Sequence, residues 1–205
     1  MIVNTELEQK GNLFPSEIVD YTKDVDTLYF TTKNNVILQL TVVRDSVLRF
    51  RYATAGKFNN DFSYGITMHG SRGYNFLKVT EDDFYYIITT SKLICKVEKL
   101  NLRIRLYDAV DSVLINEDEI GFHWEESYQY GGDIVKMSKI SLKAESYYGL
   151  GDKPVEVNLK GKRFENWVTD SYAFGKNTDP IYKAIPFYTS IHNDKSYGIF
   201  FDNTF

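Results

Sequence analysis

Carboxylates are the residues of this sequence best suited to acid and base chemistry, since a pair of them can hydrolyse a glycosidic bond. They occur in three adjacent groups, Asp82-Asp83, Glu117-Asp118-Glu119 and Glu125-Glu126. Catalysis requires two carboxyl groups at a fixed separation and in different environments, whereas adjacent acids in turns are usually solvated charges. We therefore interpret all three groups as structural and predict no catalytic residue in this chain.

The histidines and the one cysteine show no arrangement typical of a reactive site. His69, His123 and His192 are far apart, and no His-x-x-x-His or Cys-His spacing is present. Cys95 lies on the apolar face of a predicted strand, which indicates a buried, inert thiol. Phosphate-binding and dinucleotide-binding motifs and a nucleophile elbow are missing from the sequence. We predict no metal and no cofactor.

The elements that position these residues are predicted from hydropathy of period two. Alternate residues from Val36 to Val42 are apolar, while Gln39 and Thr41 between them are polar. Adjacent strands joined by short turns must be antiparallel, and no long helical period appears. The sequence thus predicts an all-β, antiparallel β-sandwich. Further strands are predicted at residues 27–32, 47–52, 93–98, 102–107, 140–144, 181–191 and 197–205.

Composition limits the domain count and the possible partners. The 205 residues contain 4 Pro, scattered Gly and no repeat or linker, so we predict one domain over residues 1–205. A net charge of −4 argues against nucleic acid and anionic lipid as partners. No apolar run is long enough for a membrane helix. The single cysteine and the lack of a signal-peptide pattern predict a cytoplasmic location.

Aromatic residues form 16% of the sequence and concentrate near its end. Residues 160–179 have weak periodicity but contain Phe164, Trp167, Tyr172 and Phe174. Such a segment either folds over the core or presents its rings to a partner or ligand. The glycines of the preceding YYGLGDK segment, residues 147–153, indicate a tight turn or a close backbone approach. An apolar run that ends almost at Phe205 leads us to expect that the natural polypeptide continues.

Four ordered pieces of the last 58 residues resemble glycoside hydrolase family 31, the α-glucosidase and α-xylosidase family. They are YGLGD at residues 148–152, Trp167 with Asp170, DPIYKAIPFY at residues 179–188, and GIFFDNT at residues 198–204. Residues 1–147 are similar to the family only in strand pattern and size.

The resemblance implies an N-terminal β-sandwich with the galactose mutarotase-like supersandwich fold. In that family the next domain is a (β/α)₈ barrel, which carries the catalytic aspartates of a retaining reaction. By this resemblance, residues 160–179 form a loop at the barrel mouth. Asp170 would then bind sugar hydroxyls, while Trp167, Tyr172 and Phe174 form an apolar wall or pack against the barrel.

Three functional hypotheses follow. The first is the N-terminal domain of a retaining α-glycosidase, by default an α-glucosidase, which acts on an α-linked oligosaccharide or α-glucoside. Its partner is a catalytic barrel outside this chain, and the isolated chain is expected to be inactive and to self-associate. The alternative is a stand-alone carbohydrate-binding module. A mutarotase-like epimerase rests on fold alone, which is weak support for function.

Overall fold

The computed structural model describes residues 11–66, 77–127, 129 and 131–202. These ranges contain thirteen β-strands and no helix, so no helix in the described residues could cross a membrane. The predicted all-β class is confirmed. The strands are β1 (Ile18–Asp24), β2 (Thr27–Thr32), β3 (Ile37–Arg44), β4 (Val47–Ala53), β5 (Lys78–Glu81), β6 (Tyr85–Thr89), β7 (Leu93–Glu98), β8 (Ile104–Asp108), β9 (Leu114–Glu125), β10 (Ile134–Lys139), β11 (Ser146–Gly151), β12 (Ala184–His192) and β13 (Lys195–Phe200).

The chain divides into two compact units. The first unit takes Met1–Asp61 and Met68–Ile140, and the second takes Phe62–Thr67 and Ser141–Phe205. The first unit holds a four-stranded sheet, β1-β2-β3-β4, and a six-stranded sheet, β10-β9-β8-β7-β6-β5. The second holds the three-stranded sheet β11-β12-β13. Whether residues 1–205 form one domain stays a prediction.

The core of the first unit is built from the inward residues of both its sheets. In β2 and β3 every second side chain is buried, as the alternation predicts. These side chains form one cluster with residues of the six-stranded sheet, which makes this unit an antiparallel sandwich. The fully buried members include Leu28, Phe30, Leu38, Leu40, Ile88, Cys95 and Val97.

The predicted inert residues of this unit lie where their chemistry is suppressed. Cys95 is completely buried. Its burial is the main cause that raises the pKa of the thiol far above the usual value, and the nearby Asp118 carboxylate adds to this shift. A neutral, enclosed thiol cannot act as a nucleophile. His123 is buried, with Nδ1 3.0 Å from the Gly121 carbonyl oxygen. His69 lies outside the described residues.

The acidic group Glu117-Asp118-Glu119 lies in strand β9. It is therefore not in a turn, where adjacent acidic residues are usually found. The Asp118 carboxylate is buried, 2.7 Å from Lys139 Nζ, and accepts the Ile104 N–H at 2.9 Å. Glu117 pairs with Arg105 at 2.6 Å. These bonds tie neighbouring strands together, so the structural interpretation of this group fits the geometry.

The predicted strand at residues 140–144 is wrong. This segment is a turn, in which the Glu145 N–H donates to the Leu142 carbonyl oxygen at 3.1 Å. The Glu145 carboxylate in return accepts the Leu142 N–H at 2.8 Å. These local bonds take the backbone groups that a strand would offer to a neighbour. The alternating hydropathy there was coincidental, and the neighbouring strands are β10 and β11.

The close backbone approach predicted for YYGLGDK is confirmed in β11. Gly149 and Gly151 have φ of 123° and 85°. A Cβ atom at Gly149 would lie 2.7 Å from the Phe187 carbonyl oxygen, and one at Gly151 would lie 2.4 Å from that of Lys183. Only glycine fits both positions. The predicted strands at residues 181–191 and 197–205 correspond to β12 and β13, which pair as an antiparallel hairpin with its turn at Asn193-Asp194. Residues 203–205 lie outside the described residues.

Candidate functional site

A long loop, residues 152–183, leaves β11 and returns to β12, and it contains all four predicted site residues. We call it the aromatic loop. Its ends are adjacent, because the Asp152 N–H donates to the Lys183 carbonyl oxygen at 3.1 Å and Gly151 pairs with Ala184. The loop therefore starts and finishes at one point of the three-stranded sheet.

The base of the aromatic loop is closed by a partly buried ion pair. Lys153 Nζ lies 2.5 Å from Asp179 Oδ1 and donates to the Glu165 carbonyl oxygen at 2.8 Å. Asp179 Oδ2 accepts the Glu165 N–H at 2.5 Å. The Lys153 and Asp179 side chains are 3% and 17% exposed. The two ends of the loop and its midpoint are thus joined; we call this arrangement the clamp.

Asp170 lies in the second half of the loop, and the backbone on each side of it is bonded to the returning chain. The Thr169 N–H donates to the Ile181 carbonyl oxygen at 3.3 Å, and the Tyr182 hydroxyl donates to the Ser171 carbonyl oxygen at 2.9 Å. Ile181 is buried, whereas Asp170 is exposed. The Asp170 carboxylate therefore faces solvent, while the backbone on either side of it is fixed by hydrogen bonds.

The three predicted aromatic residues face solvent to different degrees. Trp167 is 65% exposed and Tyr172 is 95% exposed, while Phe174 is 44% exposed and packs edge-on against Tyr182 at 5.6 Å. Of the two alternatives left open by the sequence, the loop presents its rings and does not fold them over the core. Tyr182 connects Phe174 with the chain next to Asp170, because its ring contacts Phe174 and its hydroxyl bonds to Ser171, the residue after Asp170.

A surface ion cluster holds the outer part of the loop. Glu156 pairs with Lys176 at 2.6 Å and with Lys162, and these two ammonium groups lower the pKa of the carboxyl to about 2. The Asn177 N–H donates to the Pro154 carbonyl oxygen at 2.9 Å. The two halves of the aromatic loop are therefore joined at a second point.

Three residues that position the site were not assigned this role from the sequence. Asp179 and Tyr182 lie in the piece at residues 179–188, and Lys153 directly follows YGLGD, but nothing local distinguishes a clamping lysine from a solvated one. Lys153 and Asp179 are 26 residues apart, so their contact appears only once β11 and β12 pair.

The chemistry available to this arrangement is binding. One exposed carboxylate and several rings can accept hydrogen bonds from hydroxyl groups and contact apolar ring faces. In the described ranges, no three His, Cys, Asp or Glu residues are grouped so as to hold a metal ion.

Comparison with known families decides the assignment. The profile of the glycosyl hydrolase 31 N-terminal galactose mutarotase-like domain matches residues 37–205. This chain belongs to that family. The family membership and the fold predicted from the last 58 residues are thus confirmed. The match with the family profile also extends well into the first unit.

Known relatives of the family 31 domain are much longer proteins. The α-glucosidase 2 of Bacillus thermoamyloliquefaciens is 26% identical over 170 residues, which are 82% of this chain and 21% of that protein. The α-glucosidase of Saccharolobus solfataricus is 33% identical over 75 residues, which are 37% of this chain and 11% of the relative. The chain thus spans about a fifth or less of either relative.

A solved structure gives a similar result. The Flavobacterium johnsoniae family 31 dextranase, complexed with isomaltotriose, superimposes with a TM-score of 0.81 at 27% identity. The superposition covers 94% of this chain and 23% of the dextranase. Nearly the whole family 31 domain therefore has its counterpart in one part of a larger glycosidase.

Proposed function

We propose that this family 31 domain forms the N-terminal part of a retaining α-glycosidase, by default an α-glucosidase, and that its aromatic loop forms part of the substrate pocket. The observation that carries the proposal is the exposed Asp170, whose backbone is held on both sides by the returning chain. Catalysis belongs to a barrel outside this chain, so residues 1–205 alone are expected to be inactive.

Asp170 supplies the polar part of this binding site. A carboxylate accepts short, directional hydrogen bonds from sugar hydroxyls, each contributing about 1.5–3 kcal/mol. Fixing its backbone in advance reduces the ordering cost of binding. Trp167, Tyr172 and Phe174 supply ring faces beside it. An α-linked oligosaccharide or α-glucoside has both the hydroxyls and the apolar ring faces that such a site requires.

The relatives support this substrate class. Two of them are named α-glucosidases, and the dextranase is complexed with isomaltotriose. In each case the name describes the relative, and we extend it to the present domain as a proposal.

Asp170→Ala in the longer protein that contains this domain tests the proposal. The wild-type protein is expected to hydrolyse an α-glucoside, and the variant to lose roughly 10- to 100-fold in kcat/KM, because a charge-assisted hydrogen bond to the sugar is removed. The thermal unfolding midpoint should not change, since Asp170 is exposed. Asp83→Ala, which removes an exposed carboxylate of the first unit, serves as the control. Equal kcat/KM in Asp170→Ala and wild type would remove the loop from the substrate pocket.

The exposed face of the three-stranded sheet supports packing against a further domain. Ile185, Phe187 and Ile191 alternate along β12, and Phe200 pairs with Phe187 across β13. They share one face, and their exposed fractions range from 39% to 50%. Exposed apolar patches of this kind mark interaction surfaces.

If a barrel covers this face in the longer protein, the isolated chain is expected to self-associate through it. Sedimentation velocity should show concentration-dependent dimers or larger species, and Phe187→Ser should reduce them. A monomer at every concentration, without binding of an apolar dye, would contradict this expectation.

The exposed Trp167 and Tyr172 favour a second candidate, a stand-alone carbohydrate-binding module. Titration of this chain with maltose or isomaltose, followed by tryptophan fluorescence, distinguishes the two. A saturable change that Trp167→Phe abolishes supports the module. No response at high millimolar sugar favours the pocket-forming role.

A further inference from the structure

The clamp differs from the other ion pairs of the aromatic loop in how its atoms are used. Both oxygens of Asp179 and the Lys153 ammonium are engaged, and two of the three bonds go to the backbone of Glu165. Asp179 holds the Glu165 N–H, and Lys153 holds the Glu165 carbonyl oxygen. The position of residue 165 is therefore set by backbone atoms, and the Glu165 side chain takes no part in these bonds.

The Lys153 ammonium of the clamp is shielded from water, so removing its partner costs more than breaking a neighbouring surface pair. The Lys153 side chain is 3% exposed, and its ammonium lies 5.5 Å from the centre of the Phe164 ring. A shielded ammonium that loses its carboxylate becomes an uncompensated buried charge. By contrast, Lys183 and Asp152 are 3.8 Å apart with side chains 69% and 43% exposed, and such a pair contributes little.

The clamp stands directly before the predicted binding residues. From Glu165 the chain needs only four residues to reach Thr169, which bonds to Ile181. Trp167 lies within this short span, and Asp170 follows it. Both ends of the span are thus tied to the chain that returns to β12. Release of residue 165 would leave the span held at one end only.

We propose that Lys153 and Asp179 are a positioning pair, which transmits the geometry of the three-stranded sheet to the Trp167–Asp170 segment and so sets its sugar-binding conformation. This role rests on the proposed function of the loop. Neither residue touches the sugar. Their effect on affinity passes through the backbone of Glu165.

Hydrogen exchange in the 205-residue chain tests whether Lys153 and Asp179 hold the backbone of Glu165. The Glu165 amide should exchange roughly ten-fold faster or more in Lys153→Met and in Asp179→Asn than in wild type. Lys153→Met releases the Asp179 carboxylate, and Asp179→Asn leaves one acceptor oxygen for which the Glu165 N–H and the Lys153 ammonium compete. Lys153→Arg should restore slow exchange, since the guanidinium can bond both acceptors. Lys183→Met and Glu165→Ala are the matched controls and should match wild type. Exchange that Lys153→Met and Asp179→Asn leave unchanged would overturn the proposal.

Kinetics in the longer protein test the functional part. Lys153→Met should raise KM with a smaller change in kcat, and its effect should largely vanish in an Asp170→Ala background, because both changes disable the same contact. Additive effects would overturn the positioning role. If Asp170→Ala alone is without effect, the proposed function fails, while exchange at Glu165 still decides whether the pair positions the loop. If Lys153→Met does not fold, Asp179→Asn replaces it in the same cycle.

Discussion

Gly151→Ala is expected to destabilise the three-stranded sheet by about 2–5 kcal/mol. The φ of 85° at Gly151 costs an alanine about 1–2 kcal/mol. The added Cβ would also lie 2.4 Å from the Lys183 carbonyl oxygen and 3.0 Å from the Ile185 amide nitrogen. Both contacts are backbone atoms of the returning chain, so relief requires β11 and β12 to separate, an overpacking cost of about 1–3 kcal/mol.

Two other glycines of the second unit separate these contributions. Gly161 has φ of 74° with no atom within 4 Å of its added Cβ, so Gly161→Ala should show the backbone cost alone. Gly175 has open space and no positive φ, so Gly175→Ala should change stability little. Hydrogen exchange of the β11, β12 and β13 amides measures the three variants. A cost for Gly161→Ala as large as that for Gly151→Ala would show that the close approach does not matter.

Glu145→Ala is expected to destabilise the second unit by about 3–5 kcal/mol. The Glu145 side chain is almost completely buried and accepts hydrogen bonds from the Ser190 hydroxyl at 2.5 Å and the Tyr197 hydroxyl at 2.6 Å. It also accepts the Leu142 N–H at 2.8 Å. Removing the carboxylate leaves three donors without their acceptor. A buried, unsatisfied group costs about 1–3 kcal/mol, and the half-buried Leu142 and Tyr197 recover part of this cost by bonding to water. Stability of β11 to β13 is again read from hydrogen exchange.

The same residue gives the second unit an acid-sensitive contribution. Burial acts to raise the pKa of the Glu145 carboxyl, but the bonds from Ser190, Tyr197 and Leu142 together outweigh it and hold the pKa below the ordinary value. A depressed carboxyl pKa stabilises the fold above the unfolded-state pKa, and this stability is lost as the pH falls through the folded-state pKa. The acid slope of stability should therefore be shallower in Glu145→Ala than in wild type.

Glu156→Ala is the control for the loss of stability at neutral pH. Glu156 lies in the same unit and also has a lowered pKa, yet it is exposed and paired with lysines on the surface. We expect its removal to leave β11 to β13 unchanged, because water replaces its partners. If Glu156→Ala proves as costly as Glu145→Ala, buried hydrogen bonding is not the source of the effect.

The sequence predicts the core strands well, because their hydropathy reports burial directly. The predicted strand at residues 27–32 is β2 to the residue, since one face of it is inside the sandwich. Strand β1 was missed because six of its seven residues are exposed and no alternation marks it. Strand β9 was hidden by its acidic residues; a buried Asp118 becomes tolerable only beside Lys139, which the pattern does not show.

The site was predicted as a set of residues but not as a geometry. The aromatic content of the loop and its resemblance to family 31 located Trp167, Asp170, Tyr172 and Phe174, and whether these residues bind sugar stays a prediction. The clamp cannot be predicted from the sequence, because its lysine, its aspartate and the backbone of Glu165 meet only in the folded loop.

The bonds that hold the aromatic loop in place are made by residues of the loop itself, which affects how its sequence can change in evolution. Its two ends meet at the Gly151 and Ala184 pair, and Lys153, Glu165 and Asp179 all belong to the loop itself. Residues beyond the clamp can thus lengthen, shorten or change while the sheet beneath stays as it is. If the aromatic loop binds sugar as we propose, exchange of this segment, in evolution or in a laboratory graft, would change the sugar preference without a change of the sheet.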